Sequence, residues 1–205
     1  MTPRPRSVED GEIFAALGRV IARHGPRGLT LVRVGKEAGL SPAGLVQRFG
    51  SKRGMLRAMG KAARGSADAF VAQIRAAHVT PLAMVREFVL CFAELAGTPQ
   101  EMANNTMAYV ELDLMDPVLR RGTQAMTLEN ETALSVLIEE AMAAGELQQC
   151  DASALARALL GLASGSLLGW ALHRQGGARE WLARDVDTVL KPLRLGPAAV
   201  EARRR

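Results

Sequence analysis

Gln47, Arg48 and Lys52 are the residues whose types and spacing suggest a chemistry here, and that chemistry is recognition rather than turnover. A glutamine amide can pair in a bidentate manner with adenine N6 and N7. An arginine fork can do the same for guanine or can hold a phosphate, and a lysine is a point charge for a phosphate. Thr30 and Ser41 add hydroxyls nearby, and Arg33 and Lys36 stand three residues apart on a stretch that reads as a helix. Pro42 and Ala43 offer small apolar surfaces for thymine methyls, and Arg4 and Arg6 are placed to enter a minor groove.

No pattern for catalysis accompanies them. The chain has no P-loop, no G-x-S-x-G, no H-E-x-x-H and no C-x-x-C, and "GLASGS" has the wrong spacing for a nucleophile elbow. His24, His78 and His173 are scattered, so no metal-ligand set forms from them. Cys91 and Cys150 make no disulfide framework and read as reduced, packed thiols. The expectation is a protein that is not an enzyme and uses no cofactor or metal.

The elements that must carry these residues are helical. Of the 205 residues 48% are hydrophobic but only 4% aromatic, and Ala, Leu, Met and Arg dominate over β-branched runs. Ile13, Phe14, Leu17, Val20 and Ile21 share one face of a first helix, opened by Ser7 with Asp10 three residues on and closed by "HGPRG". Thr30 then caps a short helix over 31–38, ended by Gly39. Ser41 caps another over 42–49, with Pro42 in its first turn and Gly50 after it. Ser51 caps a helix predicted over 52–77. Further helices are predicted over 81–96, 99–113, 117–144, 152–174 and 178–193, with breaks at "HVTP", "AGTPQ", "MDP", "AGELQQCD" and "RQGGA". The fold class is all-α with about nine helices: a three-helix head carrying a helix-turn-helix, then a helical bundle. The expected boundaries are a DNA-binding domain over 1–52, a ligand-binding and dimerisation domain over 53–196, and a frayed tail over 197–205.

Charge separates the same two parts. Residues 1–75 hold 14 Lys+Arg against 5 Asp+Glu, whereas residues 76–205 hold 12 against 16. A basic first third on a mildly acidic body points to a polyanion partner for that third alone.

The stretch "TLVRVGKEAGLSPAGLVQRFGSKRGML" resembles the DNA-binding head of the tetracycline-repressor (TetR) family of bacterial regulators. The resemblance rests on Gly28, Thr30, Val34, Glu37, Ala38, Gly39, Leu40, Ser41, Leu45, Phe49, Ser51, Lys52 and Leu56. It implies that Lys52 meets a phosphate at the start of its helix, and that the body binds a small-molecule effector and pairs as a homodimer. One departure matters: family members often carry Gly-Thr-Leu-Tyr where this chain has Ala43-Gly44-Leu45-Val46. The contacts of that Thr and Tyr do not carry over, which leaves Gln47 and Arg48 as the long polar side chains of the reading helix.

In the body, Met84, Met102, Met107, Met115, Met126 and Met142 suit an adaptable apolar cavity. With Phe88, Phe92, Tyr109 and Trp170 they suggest a pocket, and Asn105, Glu111, Gln124 and Asn130 are its polar selectors. A carboxylate such as Glu111 in that pocket would favour a cationic lipophilic ligand. The run "ALLGLASGSLLGWAL", Ala158 to Leu172, is 15 residues long. That is short of the roughly 18–20 a membrane span needs. Its small residues suit close helix approach, so Leu159, Leu162, Ser166, Trp181, Val186 and Val189 are candidates for a four-helix dimer interface. No apolar leader follows Arg4 and Arg6. The expectation is therefore a cytoplasmic homodimer that binds a double-stranded DNA operator and a small effector, and no membrane. The competing reading is a helical small-molecule-binding or scaffold protein with weak or no sequence-specific DNA binding.

Overall fold

A computed structural model describes residues 8–114 and 116–195, apart from the Ser66 side chain. Ser7, Arg4, Arg6, Met115 and the tail over 197–205 therefore lie outside the described residues, but the first helix starts at Asp10 with Glu9 at its N-cap, so it is not opened at Ser7 as expected. Ten α-helices occur among the described residues, and no strand beyond one isolated bridge between Leu147 and Arg194.

The chain divides into two compact units: residues up to Ala63 with Ala103–Thr123, and Arg64–Met102 with the chain from Gln124 onward. The first unit holds α1 (Asp10–His24), α2 (Leu31–Ala38), α3 (Pro42–Phe49) and α4 (Lys52–Ala62). Ile13, Leu17, Val20, Leu29, Val34, Leu45 and Met55 form its core. This is the face that the apolar spacing of α1 leads one to expect. Ala108 and Leu119, from the Ala103–Thr123 segment, complete that core. Asn104 Nδ2 donates to the Ala22 carbonyl at 2.7 Å, and Arg53 pairs with Asp116.

In the second unit α5 (Ser66–Ala77) and α6 (Pro81–Leu90) pack with α9 (Ala152–His173) and α10 (Ala178–Leu190). Phe88, Val85, Leu134, Leu137, Ile138, Leu159, Leu182 and Val186 form the centre of its core. Two further helices, α7 (Pro99–Ala108) and α8 (Pro117–Ala143), each run from one unit into the other. By length and apolarity α9 could cross a membrane, yet it packs against α10 along much of its length and buries eight of its residues in the chain.

Three predicted helices differ in detail. The one expected over 52–77 breaks after Ala62, because Gly65 takes a left-handed conformation at φ 75° and donates its N–H to Glu129 Oε2 at 3.0 Å. The one expected over 81–96 tightens into a 3₁₀ turn at Cys91–Leu95. The one expected over 99–113 widens into a π-helix at Tyr109–Leu114.

Candidate nucleic-acid interface

The turn geometry follows from short-range hydrogen bonds. Thr30 Oγ1 accepts the Arg33 N–H at 3.2 Å and starts α2. Gly39 stops it in the left-handed region at φ 70°, and the Leu40 N–H returns to the Gly35 carbonyl at 2.8 Å. Gly35 is needed for that return, since a Cβ there would lie 2.5 Å from the Leu40 carbonyl oxygen. Ser41 Oγ accepts the Gly44 N–H at 3.0 Å, with Pro42 in the first turn, and α3 begins. Ser51 Oγ does the same for Gly54 at 3.0 Å and starts α4.

Leu45 is fully buried and anchors α3. The outward side of the same helix presents Pro42, Ala43, Val46, Gln47 and Arg48 to solvent, with Val46 44% exposed. Thr30, Arg33, Lys36, Ser41 and Lys52 are also exposed. All nine residues expected to touch DNA therefore lie on the surface of one small unit, carried by α2, α3, their caps and the start of α4.

Their charges are not equally free. Arg33 Nη1 donates to the Gly28 carbonyl at 2.7 Å, and Lys52 Nζ to the Leu29 carbonyl at 3.3 Å. Arg48 pairs with Asp10 at 2.7 Å and donates to the Val8 carbonyl at 2.5 Å. Behind the reading surface, Glu37 accepts from Arg19 at 2.7 Å and from Arg23 at 3.1 Å. The Arg19 hydrogen bond holds its carboxyl below the ordinary range. Glu37 thus joins α2 to α1, the arginine partnership its position suggests. Sequence reasoning read Asp10 only as part of a helix cap, and singled out neither Arg53, Asp116 nor Gly35. The ion pairs join residues 38 and 63 positions apart, which no local pattern signals; for Gly35 the only cue is a glycine inside a helical stretch.

The candidate pocket residues fall in both units. Met84, Phe88 and Trp170 are buried in the core of the second unit, with Phe92 and Met102 packed against it. Phe88 meets Phe70 at 5.3 Å and Phe92 at 6.4 Å between ring centroids. Trp170 Nε1 donates to the Gly176 carbonyl at 3.0 Å. Met126 and Asn130 are half-buried on α8. Asn105, Tyr109 and Glu111 belong to the first unit, where Glu111 stands 3.8 Å from Arg27. Gln124 and Met107 are exposed, and Met142 is buried.

Of the candidate interface residues, Leu159, Ser166 and Val186 are buried within the chain's own core, and Ser166 Oγ donates to Asp185 at 2.5 Å. Leu162, Trp181 and Val189 are half-buried. Trp181 is stacked by His173 at 5.4 Å and covered by Arg184 at 5.0 Å. The face of α9 open to solvent carries Arg157, Gly161, Ser164, Gly165, Leu168 and Leu172.

Cys91 and Cys150 are free thiols. Burial pushes the Cys91 thiol up to about 12, which keeps it protonated and inert. Among the described residues no group of three His, Cys, Asp or Glu could hold a metal.

Residues 13–59 match the family profile described as bacterial regulatory proteins, tetR family. Residues 105–186 match the profile described as the tetracyclin repressor-like C-terminal domain. No match to a curated protein sequence was found. Among solved structures, the chain is similar to a protein studied for the molecular basis of control of antibiotic production by bacterial hormones. That match has a TM-score of 0.74 and 22% identity, covering 93% of this chain and 100% of the other. It is also similar to the transcriptional regulator FadR from Bacillus subtilis in complex with stearoyl-CoA, at TM-score 0.69 and 16% identity, with 90% and 100% covered. A third is the TetR transcriptional regulator SCO0520 from Streptomyces coelicolor, at TM-score 0.63 and 22% identity, with 91% and 98% covered. The two matches follow one another along the chain, and the second begins inside the Ala103–Thr123 segment that packs with the head. The chain belongs to the tetR family of bacterial regulatory proteins, and it is a DNA-binding, ligand-responsive transcriptional regulator.

Proposed function

We propose that this regulator is a repressor, bound to its operator as a homodimer and released by a small apolar effector. The observation that carries the reading is the outward side of α3. Leu45 is buried beneath it while Pro42, Ala43, Val46 and Gln47 stand clear on a unit whose sequence is strongly basic. Lys52, Arg33 and Lys36 are assigned to phosphates, and Thr30 and Ser41 present helix N-terminal amides to them. Gln47 is assigned to a base edge, and Pro42 and Ala43 to thymine methyls. DNA binding is assigned to residues 1–52, effector binding and dimerisation to residues 53–196.

One reading helix with so few donors gives a half-site little discrimination. Two copies on a pseudo-palindrome double the contacts, and half-site spacing adds a geometric filter. Dimerisation is assigned to the open face of α9 with Leu162, Trp181 and Val189 beside it. An apolar effector is supported by the methionine-rich and phenylalanine-rich core around Met84 and Phe88, and by the fatty-acyl ligand of the Bacillus subtilis neighbour. The effector acts by binding the operator-incompetent state more tightly, which shifts the population between the two. In this reading the protein turns over no substrate, works in the cytoplasm beside its DNA and does not enter a membrane.

The test is a thermal-shift screen of neutral, anionic and cationic amphiphiles, followed by release from DNA. Compounds that raise the melting temperature should dissociate the bound duplex. Stabilising ligands that leave DNA binding unchanged, or the absence of any stabilising amphiphile, would contradict the release mechanism.

A further inference from the structure

Arg48 is the only charged residue of α3, and its charge is already answered within the head. Its Nε lies 2.7 Å from Asp10 Oδ1, and its Nη1 donates to the Val8 carbonyl at 2.5 Å. The guanidinium carbon stands 5.8 Å from the centroid of the Phe49 ring, within the range of a cation–π contact, and that ring lies 5.9 Å from Phe14. A carboxylate, a carbonyl and a ring thus hold one fork. Asp10 is the first residue of α1, and Val8 packs against the core of the head.

Helix geometry gives the same direction independently. At 3.6 residues per turn, successive side chains stand about 100° apart. Leu45, fully buried, marks the inward direction of α3. Ala43 and Gln47 each point about 160° away from it, and Arg48 only about 60° away. Arg48 therefore leaves α3 on the flank that meets α1, and Asp10 holds it there. The pair is exposed, and an exposed arginine–carboxylate pair stabilises a fold little. A carboxylate beside a reading helix also repels phosphates. Neither fold stability nor raw affinity explains Asp10, and discrimination does. A free arginine on that flank would meet a phosphate on any sequence, which strengthens non-specific binding and raises the salt slope by about one.

We propose that Asp10 is a specificity-determining residue that withholds Arg48 from DNA: it keeps binding to unrelated sequences low and leaves base readout to Gln47 and the apolar side of α3. The inference rests on the DNA-binding reading. It removes Arg48 from the DNA contacts that the sequence suggests and gives Asp10 a role in recognition without a contact of its own.

The test uses full-length protein and two duplexes, one selected by the wild-type protein from a random-sequence pool and one a scramble of it. Binding is followed by fluorescence anisotropy over a range of salt, and circular dichroism melting checks that each variant folds. Asp10→Ala should tighten binding to the scramble several-fold, raise its salt slope by about one and narrow the ratio between the two duplexes. Asp10→Asn, which keeps the shape and drops the charge, should move the same way, and Asp10→Glu, which keeps the charge, should restore the wild-type ratio. The gain should vanish when Arg48→Ala is added to Asp10→Ala. A gain that survives in that double variant would show simple repulsion by Asp10 and overturn the proposal. Unchanged binding to the scramble by both Asp10→Ala and Asp10→Asn would overturn it too. So would a loss of preference at one base position in the double variant, which would make Arg48 a base contact. A wild type that binds neither duplex at low salt would remove the DNA-binding reading itself, and the inference with it.

Discussion

In the proposed reading, Lys52 and Gln47 divide the work of recognition between charge and hydrogen bonding. Lys52 follows the Ser51 cap, where a phosphate would meet both its ammonium and the first amides of α4. Replacing it with alanine should weaken binding to every DNA sequence alike and lower the salt slope by about one. Gln47→Ala should instead cost about 1–3 kcal/mol on the preferred site and relax preference at one base position. A matrix of single-base variants of the selected site, titrated against both proteins, separates the two outcomes. Gly39 gives a third prediction. An L side chain at its φ of 70° is strained, so Gly39→Ala should destabilise the head by about 1–2 kcal/mol, readable by denaturant titration. Thr30, Ser41 and Gly39 were legible in the sequence because a cap reaches only three residues and a left-handed stop needs only glycine. Arg48 was not, because its partners Val8 and Asp10 lie 40 and 38 positions upstream and no local rule brings them together.

The limits of periodicity appear one scale up, at the element. The apolar spacing that predicts α1, α2 and α3 holds because each buries one stripe against the same small core. It fails at Gly65, where the break depends on Glu129 accepting a backbone N–H from 64 residues away. It fails also to show that Ala103–Thr123 belongs with the head. That association rests on Asn104 with Ala22, Ala108 and Leu119 in the core, and Asp116 with Arg53. Asp116 also caps α8, accepting from the Val118 N–H at 2.8 Å and the Leu119 N–H at 3.3 Å. The Arg53 hydrogen bond, with these caps, holds its carboxyl at about 2, below the ordinary 3.8. A carboxylate depressed in the folded state contributes stability that is complete above its unfolded value and is lost as pH falls through its folded value. Wild type should therefore lose stability between about pH 4 and 2 more steeply than Asp116→Asn, which keeps the cap and drops the charge. Melting curves of both proteins across that range check the sign. Parallel acid limbs would show that Asp116 gains nothing from Arg53.

For the whole molecule, the charge asymmetry and the open face of α9 set the predictions. Leu168 is 47% exposed and Leu172 78%, on a face that also carries Arg157, Gly161, Ser164 and Gly165. If that face pairs two chains, Leu168→Glu combined with Leu172→Glu should turn a dimer into a monomer in sedimentation velocity, with unchanged helicity. Tightness for a palindromic duplex should fall with it, since a single head loses the second half-site. An unchanged dimer would place the interface elsewhere. The density of small residues made this helix conspicuous in the sequence. Which of its residues face inward was not legible, because Leu159 is buried in the core that α10 shares through Val186, and Ser166 donates to Asp185.

Repression, effector release and dimer spacing all require that the basic head bind DNA. The decisive measurement is an anisotropy titration of full-length protein against the duplex upstream of its own gene, repeated over a series of salt concentrations. The predicted result is saturable binding at low salt whose logarithm falls linearly with the logarithm of salt, weakened uniformly by Lys52→Ala. No binding at low salt to that duplex or to any other promoter fragment would contradict it.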